Sequence, residues 1–188
     1  MRLFVAITPP AAALTELADA VDPLRLRAPD LRWTGIPAWH LTLAFLSEVD
    51  EARVPELSTR LERAAGRHPP QRLAITGGGA FPSPARARVV WAGFSADDRA
   101  LAALAASVAA GARRAGAPPP DEGRKYQPHL TLARCKAPAD VSGLTQELAS
   151  FSGVAWTADS IHLVRSYLSG GPPQYEGVGS WPLSGQAR

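Results

Sequence analysis

Two identical pentapeptides, His40-Leu41-Thr42-Leu43-Ala44 and His129-Leu130-Thr131-Leu132-Ala133, carry two of the four histidines in this 188-residue sequence. By average residue usage, a four-residue match after any two of those histidines arises by chance in about one such chain in a thousand. A lone His-x-Thr on a strand is ordinarily structural, because threonine favours strands and single histidines are usually satisfied packing groups. The repetition is what raises these residues to candidates for chemistry. Two imidazoles with an unperturbed pKa near ~6.5 can divide labour around neutrality, one neutral as general base and one protonated as general acid. That division suits in-line displacement at phosphorus: a water or hydroxyl attacks while the leaving alkoxide on the far side receives a proton. Each proton transfer contributes roughly 10²- to 10⁴-fold. The hydroxyls of Thr42 and Thr131 can donate hydrogen bonds to the equatorial phosphoryl oxygens, where charge accumulates in the transition state. No metal is required.

Other chemistries lack their residues. The sequence has no His-Glu-x-x-His helix, no Cys-x-x-Cys pair and no carboxylate inside either motif, which argues against a zinc or di-metal hydrolase. Gly77-Gly78-Gly79 is not followed by Lys and Ser or Thr, so it is no phosphate-binding P-loop, and it reads as a turn or bulge. The single cysteine, Cys135, excludes an internal disulfide, fits a reducing compartment and reads as a partly buried strand residue. His68 precedes Pro69 in a predicted loop and His162 alternates with apolar neighbours; neither is assigned chemistry. A formal charge of +3 suits an anionic substrate without forming a binding tail.

The elements that must carry the motifs follow from periodicity and punctuation. Residues 2–7 read as a buried strand and 10–21 as a helix with proline in its first turn. Residues 31–33 are a short extended segment, 40–46 a strand, and 50–65 a helix with Val54, Leu57 and Leu61 on one face, closed by Gly66. Strands over 71–76 and 87–93 are separated by the glycine triplet and Pro82-Ser83-Pro84. The Ala- and Leu-rich run 97–115 predicts a helix ended by Gly116 and Pro118 to Pro120. A strand over 129–135, a helix over 141–151 and strands over 160–168 and 175–183 complete the chain. On a strand, residues i and i+2 share a face, so His40 with Thr42 and His129 with Thr131 point one way. Leu41, Leu43, Leu130 and Leu132 point the other way, where helices can cover them.

The strand, helix, motif strand and helix of the first half recur around the second pentapeptide. This repeat predicts an α+β fold of two pseudo-twofold-related lobes, each an antiparallel sheet with helices packed outside, around a central cleft. Residues 1–188 then form a single domain built of two duplicated lobes, with 46% hydrophobic residues to fill its core. The short apolar run after Arg2 is interrupted by Pro9 and Pro10 and does not read as a signal peptide. No stretch approaches the ~20 apolar residues of a membrane-spanning helix. A soluble, cytoplasmic protein is expected, acting as a monomer with no obligate protein partner and no cofactor.

Several segments together identify the chain as a member of the two-histidine phosphoesterase superfamily. They are Arg2 to Ile7, His40 to Leu46, Arg88-Val89-Val90-Trp91, Pro128 to Arg134, and Ser166-Tyr167-Leu168 through Tyr175. Within that superfamily it resembles the RNA 2′,3′-cyclic phosphodiesterases, once named 2′-5′ RNA ligases, over nearly its whole length. The resemblance implies hydrolysis of an RNA-terminal 2′,3′-cyclic phosphate to a 2′-phosphate. It makes His40 the proton donor to the 3′ leaving oxygen and His129 the proton acceptor that activates water. Thr42 and Thr131 would hold the phosphate, and Arg134 would neutralise it by bidentate hydrogen bonding. Phe45 stands where the second copy has Arg134, so the two halves are not equivalent. Strict alternation puts Arg134 opposite His129 and Thr131, so a bulge or its own length must bring it round. Tyr126 occupies a position where relatives carry an aromatic able to stack on a base, worth ~1–3 kcal/mol. Trp33, Trp39 and Arg165 are weaker candidates of that kind. RNA 3′ ends or small cyclic nucleotides are the expected partners. The alternatives are another cyclic phosphate such as ADP-ribose 1″,2″-cyclic phosphate, a 2′-5′-linked oligonucleotide, or an RNA- or nucleotide-binding module without catalysis.

Overall fold

A computed structural model of the protein describes residues 1–120, 123, 125–167 and 173–186. Its elements run β1 (Arg2–Ile7), α1 (Ala11–Arg27), β2 (Arg32–Trp33), β3 (Leu41–Glu48), α2 (Val54–Ala65), β4 (Gln71–Phe81), β5 (Ala87–Ser95) and α3 (Asp98–Arg114). They continue with β6 (His129–Ala139), α4 (Ser142–Leu148), β7 (Trp156–Ala158), β8 (Ser160–Tyr167) and β9 (Gln174–Pro182). Among the described residues no helix is long and apolar enough to cross a membrane.

The strands form two sheets, ordered β3-β1-β8-β9 and β2-β6-β5-β4-β7, and every pairing within them is antiparallel. The sequence β3-β1-β8-β9 matches β6-β5-β4-β7 strand for strand, with the two motif strands β3 and β6 in corresponding places. The halves of the chain are interleaved. β4, from the first half, joins the second sheet, while β8 and β9 close the first. Two helices cross over likewise, α3 to the first sheet and α1 to the second. The buried residues Leu101, Leu104 and Val108 of α3 and Leu57 and Leu61 of α2 pack on Leu3, Val5 and Leu163 of the first sheet. Leu14, Leu17 and Val21 of α1 and Leu148 of α4 pack on Ile75, Val90 and Ala92 of the second. This is the α+β arrangement of two helix-covered antiparallel sheets that the repeat predicts.

Local chemistry accounts for the elements. Leu57, Leu61 and Ala64 recur at three and four residues, giving α2 one apolar stripe for the sheet. The carboxylate of Asp97 accepts the N–H groups of Arg99 and Ala100, both at 3.0 Å, and so caps α3. The four motif leucines are buried between sheet and helices: Leu41, Leu130 and Leu132 are wholly inaccessible and Leu43 nearly so.

The structure corrects the expected boundaries. α1 continues past residue 21 to Arg27 with Pro23 inside it, because Leu24 on its next turn is held in the second core. β4 does not stop at Thr76 but runs through the glycine triplet to Phe81. Gly77, at φ +62, makes a bulge within that strand. Gly79 is required because a Cβ there would lie within 3.0 Å of several atoms of the Trp91 ring. β6 extends to Ala139, α4 is confined to Ser142–Leu148, and the short strand β7 was not expected. Leu168, expected at the end of the strand that starts at Ser160, lies outside the described residues.

Candidate active site

The cleft between the two sheets has a volume of about 1310 Å³, and its walls include His40, Thr42, His129, Thr131 and Arg134. His40 immediately precedes β3. The ring of Phe4, from the neighbouring β1, stacks on it at 4.5 Å between centroids and 23° between planes. Tyr175 from β9 meets the same imidazole edge-on at 5.5 Å. Burial between these rings disfavours the imidazolium and, with the charge of His129 adding to it, pushes the His40 pKa down to about 4.

His129 opens β6. Its Nδ1 lies 2.8 Å from the carbonyl of Gln127, which can only accept, so Nδ1 carries the proton. The neutral ring therefore has its lone pair on Nε2. Phe81 packs edge-on against it at 5.0 Å, with Trp91 at 6.4 Å. Burial lowers the His129 pKa, the hydrogen bond to Gln127 opposes that, and the charge of Arg134 lowers it further. Each histidine thus sits among two aromatic rings contributed by different strands.

The register of the motif strands resolves the position of Arg134. Thr131 pairs with Trp91 and Ala133 with Val90, so Leu132 is an extra residue that no residue of β5 opposes. Beyond this bulge Arg134 pairs with Val89, two residues from Trp91 and hence on the same face. Alternation is broken once, and the guanidinium returns to the side of His129 and Thr131. The first motif has the same device. Thr42 pairs with Ala6 and Ala44 with Val5, leaving Leu43 unopposed and bringing Phe45 opposite Phe4. The guanidinium of Arg2 lies 4.9 Å from the centroid of the Phe45 ring. The first half thus also presents a cation to the cleft, supplied by β1 rather than by its motif.

Tyr126 lines the cleft, donates its hydroxyl to the Thr42 carbonyl at 3.0 Å, and packs against the first core. Burial holds its phenol above the usual range. The three weaker candidates do not line the cleft. Trp39 is buried in the second core and its indole N–H bonds to the Thr34 hydroxyl at 3.0 Å. Trp33 donates to the Ala28 carbonyl at 2.8 Å, and Arg165 lies over the ring of Tyr167 at 4.5 Å. His68 lies 2.8 Å from the Ser107 hydroxyl, and His162 lies 3.4 Å from that of Ser160; both are away from the cleft. Cys135 is partly buried on β6, with its thiol pKa raised by burial. Among the described residues no three His, Cys, Asp or Glu side chains cluster as metal ligands do.

Sequence reasoning missed Arg2, Phe4, Thr34, Phe81, Trp91 and Tyr175 as walls or neighbours of the site. Arg2, Phe4, Trp91 and Tyr175 stood in segments already singled out, but nothing in a single sequence distinguishes an aromatic ring that packs on a cleft histidine from one that fills a core.

The sequence profile of the 2'-5' RNA ligase superfamily matches residues 9–169. A Thermus thermophilus protein named RNA 2',3'-cyclic phosphodiesterase is 32% identical over 99% of this chain and 92% of its own length. One of the same name from Aeropyrum pernix is 33% identical over 76% of this chain and 85% of its own. A crystal structure of a Thermus thermophilus protein superposes over 100% of both chains with a TM-score of 0.78 at 31% identity. E. coli LigT complexed with 3'-AMP covers 97% of both chains with a TM-score of 0.72 at 28% identity.

Proposed function

The chain belongs to the 2'-5' RNA ligase superfamily, and from that premise and the cleft geometry we propose that it is an RNA 2′,3′-cyclic phosphodiesterase working without a metal. The observation that carries this reading is the disposition of His129. With Nδ1–H committed to the Gln127 carbonyl, its Nε2 is available to take a proton from water. As water adds to phosphorus, the bond to the 3′ oxygen breaks. Protonated His40 delivers its proton to that oxygen, leaving a 2′-phosphate and a 3′-hydroxyl. The hydroxyls of Thr42 and Thr131 donate to the non-bridging oxygens, and the Arg134 guanidinium offsets their charge.

Two features support an RNA terminus over a lone nucleotide. The homologues from Thermus thermophilus and Aeropyrum pernix bear the RNA phosphodiesterase name. The cleft, at about 1310 Å³, also exceeds the ~300–1,000 Å³ typical of sites for one small ligand. We read residues 1–188 as one domain of two duplicated lobes, acting as a monomer in the cytoplasm.

The deciding experiment is product analysis after incubating purified protein and EDTA with an oligoribonucleotide ending in a 2′,3′-cyclic phosphate. A 2′-phosphate is expected, and His40→Ala and His129→Ala should each lower the rate by roughly 10²- to 10⁴-fold. A 3′-phosphate product reverses the assigned leaving group. Loss of turnover in EDTA, restored by a divalent cation, removes the metal-free mechanism.

A further inference from the structure

The two motif bulges are clamped from opposite directions. Thr34 lies in the segment leading into the first motif, yet its hydroxyl reaches the carbonyls of Thr131 at 2.8 Å and Leu132 at 2.9 Å in the second. Its backbone N–H donates to the same Leu132 carbonyl at 2.8 Å. Tyr126 lies in the segment leading into the second motif, yet its hydroxyl reaches the carbonyl of Thr42 in the first at 3.0 Å. Thr42 and Thr131 hold the same place in the repeated pentapeptide, directly before the unopposed leucine. A bulge disrupts the ladder locally, so a hydroxyl arriving at a carbonyl beside it adds a restraint on that backbone.

We propose that Thr34 and Tyr126 are reciprocal positioning residues, each carried by the approach to one motif and holding the bulge of the other. Through Thr131 and Leu132, Thr34 sets where β6 turns Arg134 into the cleft. Through Thr42, Tyr126 sets the hydroxyl of that threonine and the adjoining His40. The Thr34 clamp is itself braced: the Trp39 indole donates to its hydroxyl at 3.0 Å, and the Arg25 guanidinium donates to its carbonyl at 2.5 Å. Because each clamp crosses between the halves, the acid and base sides of the cleft are set relative to each other rather than separately. The assigned roles rest on the phosphodiesterase reading above; the clamps themselves are a matter of geometry.

The test uses Thr34→Val, Thr34→Ser and Tyr126→Phe in the full chain, with thermal melting to establish that each is folded. Two readouts follow: kcat and KM on the cyclic-phosphate oligonucleotide, and the Kd for sulfate as a turnover-independent probe of the anion site. Losing a part-buried hydrogen bond of this kind costs about 2- to 13-fold. Thr34→Val is expected to raise both KM and the sulfate Kd by about that factor, with Thr34→Ser restoring both. Tyr126→Phe, which keeps the ring, is expected to lower kcat by about tenfold while KM changes little. If wild-type protein turns over and the folded Val and Phe variants match it in kcat, KM and sulfate affinity, the clamp proposal is overturned. If wild-type protein has no turnover but Thr34→Val still weakens sulfate binding and Thr34→Ser restores it, the clamp stands and the phosphodiesterase reading falls. Equal sulfate affinities in an inactive protein overturn both.

Discussion

His40 must be protonated to act as the proposed acid, yet with Phe4 stacked on it and Tyr175 against it edge-on it has a pKa of about 4 in the free protein. At neutral pH the imidazolium is then a minor species, and the substrate itself has to supply what the protein withholds. A phosphate anion about 4 Å from the ring, at an effective dielectric constant near ~20, stabilises the imidazolium by ~4 kcal/mol. At ~1.4 kcal/mol per pH unit this lifts the pKa by about 3 units, to near neutrality. The perturbation to apply is sulfate, whose charge is constant over the relevant range. His40 and His129 ring signals would be followed by NMR from pH 3.5 to 8, with and without saturating sulfate. His40 is expected to titrate near 4 alone and at least about 3 units higher in the complex, since sulfate carries two charges where the cyclic phosphate carries one. Calorimetry in buffers of different ionisation enthalpy should show proton uptake on binding. The same coupling separates the kinetic profiles: the kcat/KM optimum reports the free enzyme and should lie on the acid side of the kcat optimum. A free-protein His40 that titrates at 6.5 or above, or one that sulfate leaves unmoved, refutes the reasoning.

Arg134→Gln should raise KM by tenfold or more, from the ~1.5–3 kcal/mol typical of hydrogen bonds to charged groups, and should weaken sulfate binding in parallel. An unchanged KM would remove Arg134 from phosphate binding. Gly79→Ala forces a Cβ into the space held by the Trp91 ring and should destabilise the fold by about 1–3 kcal/mol. It should also move the His129 titration, since Trp91 and Phe81 pack on that ring, and both effects are accessible to urea unfolding and NMR. Stability should fall in acid for a reason internal to the site. The unfolded chain takes up the His40 proton at its ordinary pKa of 6.5, whereas the folded chain does so only at about 4. This contribution is therefore fully present above pH 6.5 and is lost progressively down to about 4, amounting to about 3 kcal/mol. His129, His68 and His162, all with lowered pKa values, act in the same direction. Urea midpoints of wild-type protein and His40→Gln across this window isolate the term, and parallel pH dependences for the two would contradict it.

Much of the architecture was legible because it rests on burial. The alternation of Leu41, Leu43, Leu130 and Leu132 with polar residues placed one face of each motif strand in the core, and all four leucines are there. Helix α3 was equally plain from its Ala and Leu content. Less plain was where packing overrides punctuation: Pro23 inside α1, and three glycines inside β4. Gly79 looks like a breaker in sequence. In the sheet it is the one residue small enough to let the Trp91 indole cross the strand. Trp39 failed as a candidate for the converse reason. An aromatic next to a motif histidine invites a stacking role, but its indole N–H already has a buried partner in Thr34.

The position of Arg134 shows most clearly what a sequence pattern withholds. Alternation is a rule about regular strands, and under it Arg134 belongs on the wrong face. The obstacle disappears through one unopposed residue, Leu132, and that irregularity recurs at Leu43 in the same place of the other copy. Nothing in the five letters of the motif encodes a bulge, because the groups that stabilise it come from Thr34 and Tyr126, outside both copies and each from the approach to the other one. The repeat therefore defines the chemistry of the site, while its geometry depends on residues that do not repeat. A second consequence follows for the asymmetry between Phe45 and Arg134. Both bulges turn that position into the cleft, so the difference between the halves is one of side chain and not of backbone. With Arg2 seated against Phe45, both sides of the cleft present a guanidinium, but only the second fixes it within the motif strand that also bears its histidine.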